Sequence, residues 1–432
     1  MKPALRVKDV ERITLRIPFT ERVRRWNALL VWQWQIVEII RVTTDDGSVG
    51  YGETLPHYTW GKVSDEAIER VRGSNPAELL GDDSLGAGLQ MAIYDVVGKA
   101  LEVPVHRLFN LSKVRDWCPI AWWNTKMSPE DLAGEAQDAV RDGYIFHKFK
   151  TRPWFDVYEQ VEAISAVTPP HYRLDMDWNG MLMNVGTAVP VMQRLDQYER
   201  VSIYEGPINQ ADVEGQRELR RKVAKPIALH FGSPPFHTAV REAVCDGFVI
   251  GGGVSAVLRQ GQLAGEFEKP FWLQMVGVGL VTALSAHLGA VLPFAQWPTI
   301  TCMNNYTDQL LNEPLTICGG YLQVPDGPGL GVEVNEDALM KYAMEEPYQL
   351  PDERHILSVV WQGGRVVHFA NMKDHCWPHF RQRGNDPAQE PGVTLEIWDD
   401  DGSNEWNDLY ARLQQGPIRE QRGGASSGNI GF

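Results

Sequence analysis

The stretch Gly143-Tyr144-Ile145-Phe146-His147-Lys148-Phe149-Lys150 decides how this chain is read. It is a short aromatic and β-branched run carrying two lysines at positions i and i+2. In a strand such residues share a face, so Lys148 and Lys150 point one way, while His147 and Phe149 point toward covering helices. Two ammonium groups on an inward strand face are costly to bury unless something anionic lies opposite. Each is also expected to depress the other's pKa, which makes a lysine usable as a general base near neutral pH. The spacing alone leaves a second reading open, a strand end at which both amines reach water.

Working outward, the same kind of short apolar strand recurs on both sides. Candidates are Cys118–Trp123, Ile145–Lys150, Tyr172–Asp177, Ser202–Glu205, Ile227–His230, Gly247–Ile250, Phe271–Val276 and a last one at Thr299–Met303. Amphipathic segments such as Pro129–Asp142 and Asp156–Ala166 lie between them. Strands alternating with helices at this interval predict a (β/α) barrel of the modified TIM type, with the Lys-x-Lys pair at its mouth. An open doubly wound sheet is disfavoured, because no GxGxxG turn follows an early strand. Asp177, Glu205 and His230 close three successive strands about one βα repeat apart. Groups at the C-terminal ends of barrel strands converge, so two carboxylates and an imidazole would face the lysines. Taken singly, each is equally readable as a helix cap or a surface polar group.

Before the barrel, Val31–Val42 ends at Asp45-Asp46-Gly47 and Ser48–Glu53 reads as its return strand; Leu85–Leu101 has helical spacing. Residues 1–115 are therefore expected to form an α+β capping domain, completed by residues after about 320. Residues 116–330 are expected to be the barrel. Residues 331–432 are expected to be an extension packing on the capping domain, with a hairpin at Ile356–Phe369, a helix at Asn404–Leu413 and a flexible tail from about 420. A chain of 432 residues with 43% hydrophobic residues can support such a core. Its net charge of −15 argues against nucleic acid as a partner. No signal-like or membrane-spanning run is read, and five scattered cysteines suggest free thiols in a reducing compartment, so a cytoplasmic address is expected.

Five segments together resemble the enolase superfamily, in its mandelate racemase and muconate lactonising enzyme branch. They are Tyr94–Leu101 leading to Val103-Pro104-Val105, Gly143–Lys150, Asp177-Trp178-Asn179-Gly180, Glu205-Gly206-Pro207 and Pro325–Leu330-Gly331. The resemblance spans roughly residues 5 to 345. It implies a divalent ion, usually magnesium, that binds a substrate carboxylate and stabilises the enediolate left when a base removes the α-proton. Carried over by position, Lys150 is the base and Lys148 its carboxylate-facing, pKa-lowering partner. Asp177 and Glu205 match the first two metal ligands, with Asp175 an alternative to Asp177.

The departures from that pattern shape the expected function. His230 stands where the third acidic ligand belongs, which would suit manganese, iron or zinc better than magnesium. It could instead touch substrate or act as an acid. Gly251 and Gln274 stand where relatives place further basic groups, and Thr301-Cys302-Met303-Asn304 offers no glutamate. With one base, elimination is simpler than racemisation. The expectation is therefore a metal-dependent lyase of dehydratase type acting on a small carboxylate. A racemase or epimerase is the alternative, as is a barrel that only binds a ligand. For substrate contacts the candidates are Trp60, His57, Tyr58, Trp123 or its neighbour Trp122, Arg25 and Gln274. Trp32 and Trp34 read as fillers of the seam between domains. A homo-oligomer is expected, with the segment after Leu350 a possible contact.

Overall fold

The computed structural model describes residues 5–58, 61–351, 354–383, 386–387 and 389–423. The chain begins with an antiparallel sheet of three strands, β1 (Val7–Arg16), β2 (Ile36–Thr44) and β3 (Val49–Thr54), in that order. The strand expected from Val31 starts only at Ile36. Trp32–Gln35 instead forms a 3-10 turn, which buries Trp34 against the barrel instead of in the sheet. Helix Ala87–Ala100 lies directly on β3. That approach requires glycine: a Cβ at Gly52 would stand 2.0 Å from the Gly88 carbonyl oxygen, and one at Gly50 2.3 Å from that of Ala92.

The segment expected as one strand at Cys118–Trp123 divides in two. β4 (Trp117–Pro119) turns outward, and β5 (Trp122–Asn124) opens the barrel. Then follow β6 (Phe146–Lys150), β7 (Arg173–Asp177), β8 (Val201–Glu205), β9 (Ile227–His230), β10 (Gly247–Ile250) and β11 (Phe271–Leu273). These seven pair in parallel in chain order. The expected eighth strand is reduced to single bridges, Ile300 with Gln274 and Thr299 with Ile120. Those bridges still close the ring, through bonds from the Ile300 amide to the Leu273 carbonyl (2.8 Å) and from the Ala121 amide to the Thr299 carbonyl (3.0 Å). Cys302 then takes a left-handed backbone (φ 66°), which ends any extension of the pairing. The barrel helices bury their apolar faces on the sheet; Leu132, Ala136 and Ala139 of helix Pro129–Arg141 are each fully covered. β12 (Ile317–Cys318) and β13 (Tyr321–Gln323) join β4 in a small antiparallel sheet.

Cap and barrel are pinned together by two buried carboxylates. Asp95 accepts from the amides of Tyr51 and Leu330 (both 2.8 Å) and pairs with Lys99 at 2.7 Å, while a Cβ on Gly98 would meet Gly329 at 2.7 Å. Glu53 accepts from the Val278 amide and from that of Leu280 (2.9 Å), at the start of helix Gly279–Val291.

The extension forms a second antiparallel sheet. Its strands are β14 (His355–Val360), β15 (Arg365–Phe369), β16 (Thr394–Asp399) and β17 (Ile418–Gln421), in the order β16-β14-β15-β17. The expected hairpin turns at Gly363 and Gly364, both at positive φ, and the expected helix spans Asn404–Leu413. Strand β17 continues past 420 in register with β15; the rest of the expected tail, from 424, lies outside the described residues. The extension's sheet meets the barrel loop after β6. Trp154 is enclosed by Trp377 and Phe380 (ring centroids 6.4 and 5.5 Å), and Asp156 accepts from the Gly392 amide at 2.8 Å. What returns to the cap is the segment just before it, where Ala343 bridges Leu15 and Glu346 accepts from Thr14 and Lys62. Among the described residues no helix is long and apolar enough to cross a membrane, and all five cysteines are free thiols.

Candidate functional site

A cavity of about 760 Å³ opens at the C-terminal ends of the barrel strands, between the cap turn and the extension. This is the face on which (β/α) barrels carry their chemistry. Lys150 lies in its wall with 18% of the side chain exposed; Lys148, two residues deeper on the same face, is fully buried below. The pleat separates the two as the sequence spacing requires. The strand-end reading in which both amines reach water is thereby excluded.

Beneath the cavity the carboxylates are already paired. Asp177 and Glu205 are direct neighbours in the register of β7 and β8. Lys150 contacts Asp177 and Lys148 contacts Glu205, with the Lys148 ammonium 3.7 Å from Asp177 as well. Lys148 also donates to the Gln274 side-chain oxygen at 3.0 Å and stands 4.8 Å from the Trp272 ring centre. The expectation that each lysine depresses the other is met in one direction only. Burial, with Lys148 adding to it, holds Lys150 below its usual value against the pull of Asp177. For Lys148, burial works downward but Glu205 and then Asp177 outweigh it, and its pKa is raised. Glu205 is held well below the carboxylate range: burial opposes ionisation, and Lys148 followed by His230 overcomes it. Asp175 sits one layer deeper, takes a 2.6 Å bond from the Ser202 hydroxyl, and is pushed up to about 7 by burial. Asp177, and not Asp175, is the aspartate that meets the lysines.

His230 reaches only one of the two carboxylates: its Nε2 is 3.1 Å from Glu205, and 40% of its side chain is exposed to the cavity mouth. Asp177, Glu205 and His230 suit a divalent ion in kind, offering two carboxylates and an imidazole on three consecutive strand ends. Their arrangement departs from the expected cage. Among the described residues no three His, Cys, Asp or Glu side chains come together to hold an ion. One oxygen of each carboxylate, Asp177 Oδ2 and Glu205 Oε2, faces an ammonium group, while Asp177 Oδ1 accepts from the Asn179 amide at 2.9 Å.

The other sequence candidates separate cleanly. Tyr58, Trp123 and Gln274 line the cavity. Trp122 instead faces the covering helix and donates to Glu135 at 3.0 Å. His57 is exposed and bonds the Tyr348 hydroxyl at 2.6 Å, away from the cavity wall. Arg25 belongs to a different cleft, with its guanidinium 5.4 Å from the Trp26 ring centre; the chain turns it outward on helix Glu21–Asn27. Trp60 lies outside the described residues. Trp34, read as a seam filler, lines the cavity and packs on Tyr58 and Trp123 (4.8 and 5.8 Å).

Among the wall residues that escaped the sequence reading are Lys126, Arg152, Trp377 and Arg381. Arg152 had a visible signal, because Lys148-Phe149-Lys150-Thr151-Arg152 continues the alternation by one cation. Its guanidinium donates to the carbonyls of Thr151 and Asp177 (2.7 and 3.0 Å) and to the Asn179 side chain (2.7 Å), and lies 4.7 Å from the Trp377 ring centre. Trp377 and Arg381 come from the extension, whose route no local pattern announces.

A curled parallel sheet with two lysines facing two strand-end carboxylates, beside an N-terminal cap, is the frame on which the similarities to known proteins fall. Residues 131–338 match the family model described as Enolase C-terminal domain-like. The chain is 24% identical over 397 residues to D-gluconate dehydratase of Thermoproteus tenax, covering 80% of this chain and 75% of that one. It is 28% identical over 275 residues to an N-succinylamino acid racemase of Amycolatopsis sp, covering 59% and 70%. Among solved structures, a mandelate racemase/muconate lactonizing family protein from Azoarcus sp. EbN1 superposes with a TM-score of 0.64 at 25% identity, covering 79% of this chain and 98% of that one. Over the barrel region the chain is similar to the enolase superfamily, and its structural neighbours include the mandelate racemase and muconate lactonising enzyme branch. Members of that superfamily generally bind a divalent metal, typically magnesium.

Proposed function

We propose that this protein is a lyase of dehydratase type, acting on a small carboxylate through α-proton abstraction by Lys150. The observation that carries the reading is the asymmetry of the cavity. One wall presents an amine whose pKa is held down by burial and by Lys148 beneath it. The remaining strand ends offer Gly251, the amide Gln274 and Cys302, whose thiol is pushed far up by burial. In this reading the substrate is a 2,3-dihydroxy carboxylate: its α-proton passes to the Lys150 amine, and the electron pair left on the α-carbon expels the β-hydroxyl. That oxygen leaves as water with a proton from His230, and the enol product tautomerises to a 2-oxo acid. Lys148 acts from below as a positioning charge: it contacts Glu205 and Gln274 and adds to the lowering of the Lys150 pKa. Trp34, Tyr58 and Trp123 exclude water from one side of the cavity. Asp177, Glu205 and His230 are the residues that would hold a divalent ion, and its chemistry there would be polarisation of the substrate carboxylate.

A racemase or epimerase is the second reading, favoured by His230 on the cavity wall and by the racemase among the relatives. The two separate in one assay. Purified protein, with and without added Mg²⁺ or Mn²⁺, is incubated in D₂O with a panel of aldonates and N-acylated amino acids. Formation of a 2-oxo acid, trapped with semicarbazide, supports the lyase. Deuterium entering the α-position of recovered substrate, without 2-oxo acid, supports the racemase and sinks the lyase. If neither product nor exchange occurs across the panel, a barrel that only binds a ligand becomes the better account.

A further inference from the structure

We infer that Lys126, Arg152 and Arg381 form a second anion subsite in this cavity, so that the substrate carries a carboxylate or phosphate besides the carboxylate beside its reacting carbon. The inference rests on the cavity being the substrate site, and deepens that reading by naming the substrate class.

The argument is one of unbalanced charge. Below the cavity, Asp177 and Glu205 are matched by Lys150 and Lys148, so that layer needs no further anion. Lys126 is different. It follows the first barrel strand, lines the cavity, and is 1% exposed. The one hydrogen bond its ammonium makes among the described residues is a long one, 3.5 Å to the Trp26 carbonyl, and no carboxylate pairs with it. An unpaired buried ammonium costs several kcal/mol, and a chain keeps one only where something returns that cost. Its electrostatic neighbours make matters worse instead of better: Arg152 repels it, and the Cys376 thiol is its one acidic neighbour. Arg152 is itself 2% exposed; Asp177 and, more weakly, Glu205 attract its charge, but its hydrogen bonds go to two carbonyls and an amide oxygen and to no carboxylate. Its Nε has no hydrogen-bond partner among the described residues. Arg381 adds a third positive charge to the same cavity and repels Arg152 in turn. Three cations thus line one cavity, with spare donors on Lys126 and Arg152, in a chain whose overall charge is −15. A ligand oxyanion would accept from the Lys126 ammonium and the free Arg152 donor, with the Trp377 ring over the guanidinium keeping water off it.

Burial and the Arg152 charge bring Lys126 down to about 7, which supplies an independent readout. An anion that pairs with the ammonium favours its protonated form, so binding near pH 7 takes up a proton.

The test is calorimetric titration of the full-length protein at pH 7. The probes are the α,ω-dicarboxylates from succinate to suberate, the ω-phosphono carboxylic acids of the same lengths, and the monocarboxylates from butyrate to octanoate. The subsite predicts that the best dianion binds at least about tenfold tighter than its monocarboxylate counterpart, with a heat that varies with buffer ionisation enthalpy as proton uptake requires. Whether the phosphono or the dicarboxylate series wins identifies the second oxyanion. In Lys126→Met the dianion preference should fall to less than about twofold while monocarboxylate affinity is kept. Arg381→Gln, on an exposed side chain, gives the same comparison if Lys126→Met does not fold. Equal affinity of wild type for mono- and dianions, or a dianion preference that survives both variants, overturns the subsite alone. If the wild type binds neither class, the cavity is not a carboxylate site, and the functional reading falls with the subsite.

Discussion

Lys148 and Glu205 show how one residue pair can be structural and functional together. Each is fully buried, and each is the other's strongest charge partner. Lys148→Met should therefore cost about 3–5 kcal/mol in urea unfolding at pH 7, because it strands Glu205. The double variant Lys148→Met/Glu205→Leu should recover most of that loss. A small cost for the single variant would mean that Asp177 and Glu205 share another cation. Lys126 makes a prediction of opposite character. Its folded value near 7 lies below the usual lysine value of 10.5, so between these the unfolded chain binds the extra proton. Stability should then rise as pH goes from about 7 to 10.5, and Lys126→Met should remove that component of the slope. An unchanged slope in the variant would show that Lys126 is not held in its neutral form. At this scale the sequence was informative where strand alternation applied. Lys148, Lys150, Asp177 and Glu205 sit on faces that a period of two dictates. His57 falls away from the cavity because loop side chains obey no period, and Arg25 because it lies on helix Glu21–Asn27 and not in the loop expected there; Lys126 was overlooked because an isolated lysine after a strand looks like any solvated end.

The elements were legible to the extent that they repeat. Parallel strands β6 to β10 begin and end within about two residues of where their apolar runs place them, because burial on both faces leaves a continuous hydrophobic signature. The failures have physical causes. Trp32–Gln35 carries strand-forming residues but is turned by its packing on the barrel, and Thr299–Met303 is cut short by the left-handed Cys302. The family-like segments Tyr94–Leu101 and Pro325–Gly331 turn out to be two halves of one lock, with Asp95 holding the Leu330 amide and Gly98 meeting Gly329. Close backbone approach governs the other cap contact. Gly52→Ala should destabilise by about 1–3 kcal/mol or more, since its methyl would push helix Ala87–Ala100 off β3. Gly47→Ala, at an open turn with φ +88°, should cost only the left-handed strain of about 1–2 kcal/mol. Equal losses in thermal unfolding would show that the helix is not seated on the strand.

For the whole molecule, the extension is what distinguishes the cavity. Residues 355–421 form a sheet of their own, yet they deliver Trp377 and Arg381 to the barrel mouth and enclose Trp154. That attachment runs through Asp156, which caps helix Val157–Val167 with one oxygen and holds Gly392 with the other. Asp156→Ala should cost about 1–2 kcal/mol overall. It should also raise amide exchange in the extension sheet more than in β6 to β10, and uniform exchange across both would contradict this coupling. None of this was readable from the chain, since long-range docking of a sheet on a loop leaves no local pattern. The central claim concerns Lys150, and it is tested most directly by α-proton exchange in D₂O, followed by ¹H NMR on a turned-over or bound carboxylate. Wild type should wash out or eliminate the α-proton, and Lys150→Met should reduce that rate by about 10²–10⁴ while still binding the carboxylate. Undiminished exchange in Lys150→Met would show that another group takes the proton.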